Sequence, residues 1–348
     1  MEKILNYING ELVEPVGGNY LDNYNPATGK VYSLIPDSEE SDINKAVIAA
    51  KEAFKTWSIT PKQERSDILM KLADTIEKYS EDLVKAESKD NGKPETLAAR
   101  VDIPRAPANI RFFAGAILHD SSKVHEMDGV AINYTLRQPV GVAACISPWN
   151  LPLYLLTWKV APALAAGNTV VAKPSEVTPM TAYLFSKICI EAGLPKGVLN
   201  IVHGLGSKVG DPLTTHPDTP IVSFTGGTVT GKHIATVTAP MFKKLSLELG
   251  GKNPNIIFAD ADFEKAVSTA ARAAFTNQGQ ICLCGSRLFV QKEIYEKFKI
   301  ALIEKTKKLK LGDPRESTSH LGAVVSKEHM EKTGCIKTQT KMWLILCA

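Results

Sequence analysis

The stretch Val140-Gly-Val-Ala-Ala-Cys-Ile-Ser-Pro-Trp-Asn150, continuing through Leu151-Pro152 to Thr169-Val-Val-Ala172, decides the fold. Val140 to Ile146 is an unbroken run of small and β-branched apolar residues, the pattern of a strand buried on both faces. Leu153 to Ala166 carries its apolar residues at helical spacing and stops at Gly167. Thr169 to Ala172 predicts the next buried strand. A strand, a helix and a strand in this order form a βαβ unit, and such units build a parallel sheet. The uncharged run from Gln138 to Trp158 has the length of a membrane span. It also contains Pro139, Pro148, Asn150 and Pro152, which break a helix and leave polar groups unpaired in lipid, so a buried strand-turn-helix is expected instead.

The same alternation continues downstream. Thr178 to Ala192 predicts a helix stopped by Gly193, and strands are expected at Val198 to Val202, Ile221 to Phe224 and Leu245 to Leu247. Upstream, Ile4 to Val13 is a hairpin around Asn9-Gly10. Ile43, Val47, Ala50, Phe54 and Trp57 mark one helix. Ile68, Leu72, Ile76, Leu83 and Val84 mark a second, ended by Asn91-Gly92. A second unit is expected from Gly250, with strands at Ile256 to Phe258 and Arg287 to Val290. Its helices are Phe263 to Phe275 and Ile294 to about Lys308.

A chain of 348 residues with 44% hydrophobic residues has material for two domains. The net charge of +4 is dispersed, and the basic run Lys305 to Lys310 alternates with apolar residues as a solvated helix face does; no nucleic-acid partner is expected. Six cysteines without a compact framework fit reduced thiols. Met1-Glu-Lys opens neither a signal nor a transit peptide, so a cytoplasmic protein is expected.

Two further segments carry chemistry. Phe275-Thr-Asn-Gln-Gly-Gln-Ile-Cys282-Leu-Cys284-Gly-Ser-Arg287 places cysteines after Asn277 to Gln280, a stretch too polar for a core. Leu247-Glu248-Leu-Gly-Gly-Lys252 places a carboxylate before a Gly-Gly turn that lets the backbone bend. A thiol and a carboxylate base suit covalent attack on a carbonyl, because only the thiolate attacks well. On residue type alone, Glu248 also reads as a strand-end carboxylate facing solvent, and Asn150 as a residue shaping a turn between prolines. Lys173 and Glu176 likewise read as an exposed ion pair on a loop. None of the seven histidines lies in a comparable motif, which disfavours a Cys/His arrangement. Phe224-Thr-Gly226-Gly227-Thr228 precedes a predicted helix whose first N–H groups attract phosphate.

These segments, in this order from about residue 5 to about residue 332, resemble the NAD(P)-dependent aldehyde dehydrogenase family. The resemblance implies a Rossmann-like parallel-sheet NAD-binding domain at 1–249, with a β-hairpin arm near 119–138. It implies a second α/β catalytic domain at 250–332, incomplete here, followed by an atypical tail at 333–348. Spacing to Gly279-Gln280 makes Cys282, not Cys284, the nucleophile. Glu248 is then the base that activates water against a thioester, and Asn150 joins the nucleophile's N–H in binding the oxyanion. NAD contacts are implied for Ile146, Pro148 and Trp149, for Lys173, Ser175 and Glu176, and for Gly206 and Gly210. They are also implied for Phe224, Thr225, Gly226 and Gly227, and for Leu249 and Gly250. A carboxylate at Glu176 favours NAD over NADP, and no metal is implied. Gly227 and Val229 depart from the family's serine and glutamate.

Val101 to Arg105, Ile110 to Phe113 and Ser147 to Lys159 are most similar to family members acting on 2-aminomuconic and related muconic semialdehydes. Arg105 would hold the substrate's distal carboxylate. Betaine-aldehyde-type and other small aldehydes are the alternative. The partners expected are an aldehyde and further subunits, with no nucleic acid or membrane, although the family's pairing strand has no counterpart here. After Lys332 the chain leaves the family pattern, as a shifted reading frame, an alternative exon or an imperfect gene model would produce. That ending carries a second expectation: a catalytically inactive product retaining NAD or subunit binding.

Overall fold

A computed structural model describes residues 1–334. The chain opens with short strands β1 (Glu2–Lys3), β2 (Asn6–Ile8), β3 (Glu11–Val13), β4 (Tyr20–Asn25) and β5 (Lys30–Pro36). Asn9 and Gly10 both take positive φ, as a two-residue hairpin turn requires, and β2 pairs with β3 as the Asn-Gly signal predicts. Helices α1 (Glu40–Trp57), α2 (Lys62–Lys78), α3 (Ser80–Asn91), α4 (Glu95–Leu97) and α5 (Ile103–Leu118) follow, with a wide turn at Ala98–Asp102 before α5. The single helix expected through Ile68 and Val84 is therefore two. Tyr79, at φ −102° and ψ 18°, leaves helical geometry and redirects the chain, and Leu83 still reaches the core shared by Leu72 and Ile76. Strands β6 (Val124–Met127) and β7 (Ala131–Tyr134) then form a separate antiparallel ribbon with every residue exposed.

From there the chain alternates as expected: β8 (Val142–Ile146), α6 (Pro152–Ala165), β9 (Thr169–Lys173), α7 (Met180–Ala192), β10 (Leu199–Ile201), α8 (Gly206–Thr214), β11 (Ile221–Gly226), α9 (Thr228–Thr238) and β12 (Lys244–Leu249). The sheet order is β12-β11-β8-β9-β10-β2-β3, with β12 through β10 mutually parallel and β2 antiparallel to β10. The chain builds β8, β9 and β10 outward on one side. It then returns to lay β11 and β12 on the other side of β8.

Burial follows the period-2 geometry of strands. Ala143 and Cys145 of β8 enter one core with Leu72, Leu156 and Phe185; Val142 and Ala144 enter the other with Ile43, Val47 and Phe224. The parallel α/β architecture read from the sequence is present. Phe185 is fully buried in the first core, so Phe185→Ala is expected to lower unfolding free energy by about 3–5 kcal/mol in urea titrations.

Beyond β12 lie β13 (Pro254–Ile257), α10 (Phe263–Phe275), β14 (Arg287–Val290) and α11 (Tyr295–Lys307). β13 and β14 pair in parallel, and Ile257, Val267, Ala270 and Phe298 make a small core of their own. The later segment returns to the end of α3. Gly92 caps that helix at φ 84°, and a Cβ there would meet the Ala323 carbonyl oxygen at 2.7 Å, so both the conformation and the contact require glycine. Residues 327–334 are helical. Most of the atypical tail, with Cys335 and Cys347, lies outside the described residues. Among those residues, Cys145, Cys189, Cys282 and Cys284 are free thiols, and no helix is long and apolar enough to cross a membrane.

Candidate active site

Strand register assembles the site. Ile146 lies opposite Lys173 of β9 and Phe224 of β11, and Phe224 lies opposite Leu247 of β12. These residues occupy the carboxyl ends of parallel strands, so the following loops open along one edge. The direction of sheet growth reverses between β8 and β11, and open α/β sheets take ligands in the crevice at such a reversal. Gly206 starts α8 on this edge, whereas Gly210 sits one turn inside that helix.

Lys173 and Glu176 were read as an exposed pair, but Lys173 is buried at the end of β9 and Glu176 is half-buried. Lys173 Nζ donates to Glu176 Oε2 at 2.9 Å and to the Pro174 carbonyl at 2.8 Å. The Gly206 amide donates to Glu176 Oε1 at 3.3 Å. Burial pulls the Glu176 carboxyl upward, but the Lys173 charge and these donors outweigh it and hold it below the usual carboxylate range. Ser175 is buried beside them, and its Oγ accepts from the Val177 amide at 3.3 Å.

Gly227 precedes helix α9 and supplies no side-chain cap, which leaves the helix's first-turn N–H groups without a capping side chain. A Cβ at Gly227 would meet nothing within 4 Å, so the approach is open. Val229, where the family pattern has glutamate, is fully exposed in that first turn. A phosphate group fits here through backbone donors.

Asn150 lies in the loop between β8 and α6. Its carbonyl oxygen accepts from Asn277 Nδ2 at 2.9 Å, Lys93 Nζ at 3.1 Å and Asn91 Nδ2 at 3.4 Å. Asn91 Nδ2 also donates to the Trp149 carbonyl at 3.0 Å, and the Trp149 ring packs edge-on to His329 with centroids 4.9 Å apart. In the side chain, Oδ1 accepts from the Leu151 amide at 3.1 Å, and Nδ2 has no partner among the described residues. That amide is available to donate. Lys93 is completely buried, 3.1 Å from Glu87 Oε1 and in contact with Asp102. Burial raises both carboxyls and Lys93 counteracts it.

Cys282 sits half-buried in the turn before β14. Asn253 Nδ2 donates to the Cys282 carbonyl at 2.7 Å and to the Cys284 carbonyl at 3.2 Å. The turn is thereby tied to the segment that leaves β12, on which Glu248 is exposed. No hydrogen bond joins Glu248 to Cys282 among the described residues. Cys284 is buried, which pushes its thiol up and makes it the poorer nucleophile. Lys159, buried on α6, donates to Ser223 Oγ at 3.2 Å; burial lowers its pKa, and Cys145 and Glu248 oppose that.

The polar stretch before the thiol is not solvated as expected. Asn277 is 1% and Gln280 6% exposed. Asn277 Nδ2 donates to the Asn150 carbonyl and Gln280 Oε1 accepts from the Val325 amide at 3.1 Å, so these atoms are paired, whereas Asn277 Oδ1 has no partner among the described residues. Asn277 and Gln278 take left-handed φ of 53° and 57°, which turns the chain ahead of Cys282. Arg105 is exposed, with its guanidinium 5.1 Å from the Tyr154 ring centroid in the first turn of α6. Sequence reading missed Asn91, Lys93, Asn253 and Asn277, because each acts through a partner distant in the chain. The Asn91-Gly-Lys93 turn was the one local signal.

Comparison with known proteins bears on this site. The profile of the aldehyde dehydrogenase family matches residues 13–342. A 2-aminomuconic semialdehyde dehydrogenase of Danio rerio is 53% identical over 94% of the chain and 67% of its own length. The Mus musculus protein of that name is 51% identical over 98% and 70%. Among solved structures, an aldehyde dehydrogenase from Bacillus cereus in complex with NAD+ superposes with a TM-score of 0.96 at 41% identity, over 98% of this chain and 70% of that one. The chain thus spans about two thirds of the length of the proteins it matches. It belongs to the aldehyde dehydrogenase family.

Proposed function

We propose that this chain oxidises an aldehyde to its carboxylic acid with NAD, through a thioester on Cys282. The observation that carries the reading is the loop before α6: Asn150 Nδ2 has no partner among the described residues, and the Asn150 carbonyl is bonded to Asn277 in the turn that leads to Cys282. The Cys282 thiolate adds to the aldehyde carbon, forming a C–S bond and an oxyanion. Asn150 Nδ2 and the Cys282 N–H donate to that oxygen. NAD, when bound, supplies the acceptor for the hydride that leaves this carbon. Glu248, exposed at the crevice edge, takes a proton from water; the hydroxide adds to the thioester, the C–S bond breaks and the thiolate returns.

NAD would lie along the strand ends, with Glu176 and Lys173 at the adenosine ribose and the first turn of α9 at the pyrophosphate. In this reading residues 1–249 serve the cofactor and 250–332 carry the thiol. Glu176→Gln is expected to raise use of NADP relative to NAD about tenfold, since it removes a carboxylate held charged beside the ribose position. The kcat/KM ratio for the two nucleotides checks this.

Arg105 selects the substrate class. The exposed Arg105 guanidinium in the first turn of α5, over the ring of Tyr154 in the first turn of α6, attracts an aldehyde with a carboxylate at its far end and repels the quaternary ammonium of a betaine aldehyde. A muconic semialdehyde fits. The ribbon β6–β7 exposes Val124, Met127, Ile132 and Tyr134, the apolar surface of a contact between subunits. A cytoplasmic site of action suits the free thiols. Purified chain supplied with NAD and 2-aminomuconic semialdehyde should form NADH and the acid; NADH from betaine aldehyde with none from the semialdehyde would reverse the substrate reading.

A further inference from the structure

Three nitrogen donors meet at one backbone oxygen, that of Asn150, and one of them is a lysine with no exposed surface. A buried ammonium is costly unless paired, and Lys93 is paired twice, to Glu87 and Asp102. Two carboxylates exceed what one lysine needs for neutrality. Glu87 Oε2 and Asp102 Oδ1 moreover remain without hydrogen-bond partners. A group of this cost placed under a loop calls for a role in that loop. Lys93 therefore joins this carboxylate pair to the loop at the Asn150 carbonyl.

We infer that Lys93 is a positioning residue for Asn150: together with Asn91 and Asn277 it fixes the Asn150 carbonyl so that the side-chain amide faces the carbon attacked by Cys282. The inference rests on the proposed oxidation for its catalytic consequence. Rotating the 149–151 peptide would move the Asn150 side chain, and a misplacement of about 1 Å costs on the order of 100-fold in rate. Glu87 and Asp102 act one step further back. They hold the ammonium where it meets the oxygen.

The test separates holding the loop from balancing buried charge. Lys93→Met alone strands two buried carboxyls and threatens folding, so the decisive variant is Lys93→Met with Glu87→Gln and Asp102→Asn, which is neutral and similar in volume. It should fold, retain its KM for NAD, and lose about 10- to 100-fold in kcat for aldehyde oxidation. Adding Asn150→Ala to it should cause no further loss beyond Asn150→Ala alone, because both changes act through one side chain. Amide hydrogen exchange across residues 147–153 should be at least about tenfold faster in the triple variant, with β11 unaffected. Undiminished kcat, multiplying losses, or unchanged exchange across 147–153 would each overturn the inference. An unmodified chain that forms no NADH would refute the oxidation itself, and the exchange rates would then decide the role of Lys93 alone.

Discussion

Cys282→Ala is expected to reduce NADH formation from an aldehyde by on the order of 1,000-fold or more, with NAD binding and thermal unfolding unchanged. The size follows from the covalent step: without the sulfur there is no adduct from which hydride leaves, and Asn150 has no oxyanion to stabilise. The fold should be indifferent to the change. Cys282 is half-buried in a turn held by Asn253 through a backbone carbonyl, and alanine keeps that carbonyl. Cys284→Ala is the control. That thiol is buried and pushed up, so its loss should leave turnover near the parent's. Equal loss in both variants, or loss only in the second, would move the nucleophile to position 284.

Glu248→Gln should separate the two halves of the reaction. Addition and hydride departure need a thiolate and a donor amide, whereas thioester hydrolysis needs a base for water. The variant is therefore expected to give a burst of NADH approaching one equivalent per chain and then stall, with steady-state turnover about 100- to 10,000-fold below the parent. Mass measurement of the stalled protein should show the acyl group on Cys282. The exposed position of Glu248 on β12 supports this role, since water reaches it without passing the thiol. If the burst disappears along with turnover, Glu248 acts before hydride leaves, as the base for the thiol.

The alternation from Val140 to Leu247 was legible because each element states its own period: buried strands as short apolar runs, helices as apolar stripes ended by Gly167 and Gly193. The edge that gathers Ile146, Lys173, Phe224 and Glu248 follows from that order, since parallel strands must end on one side. The break at Tyr79 was not legible. Helical residues continue on both sides, and the turn comes from packing against the core, not from a proline or glycine.

Local composition also misled at Asn277 to Gln280. Polar residues predict exposure, yet Asn277 and Gln280 are buried because their partners, the Asn150 carbonyl and the Val325 amide, arrive from distant parts of the chain. Lys93 is the extreme case: the Asn91-Gly-Lys93 turn marks a helix end and not a buried ammonium, and its pairing with Asp102 exists only once the wide turn at Ala98–Asp102 brings that carboxylate back. Short-range chemistry, namely periodicity, turn residues and the order of reactive side chains, is written into consecutive residues; it specified the layered sheet and points to a thiol and a carboxylate as the pair to test. Which donors hold the Asn150 carbonyl, and which polar groups lose water without penalty, depends on contacts between remote segments, and such pairings acquire their geometry only when the backbone closes around them.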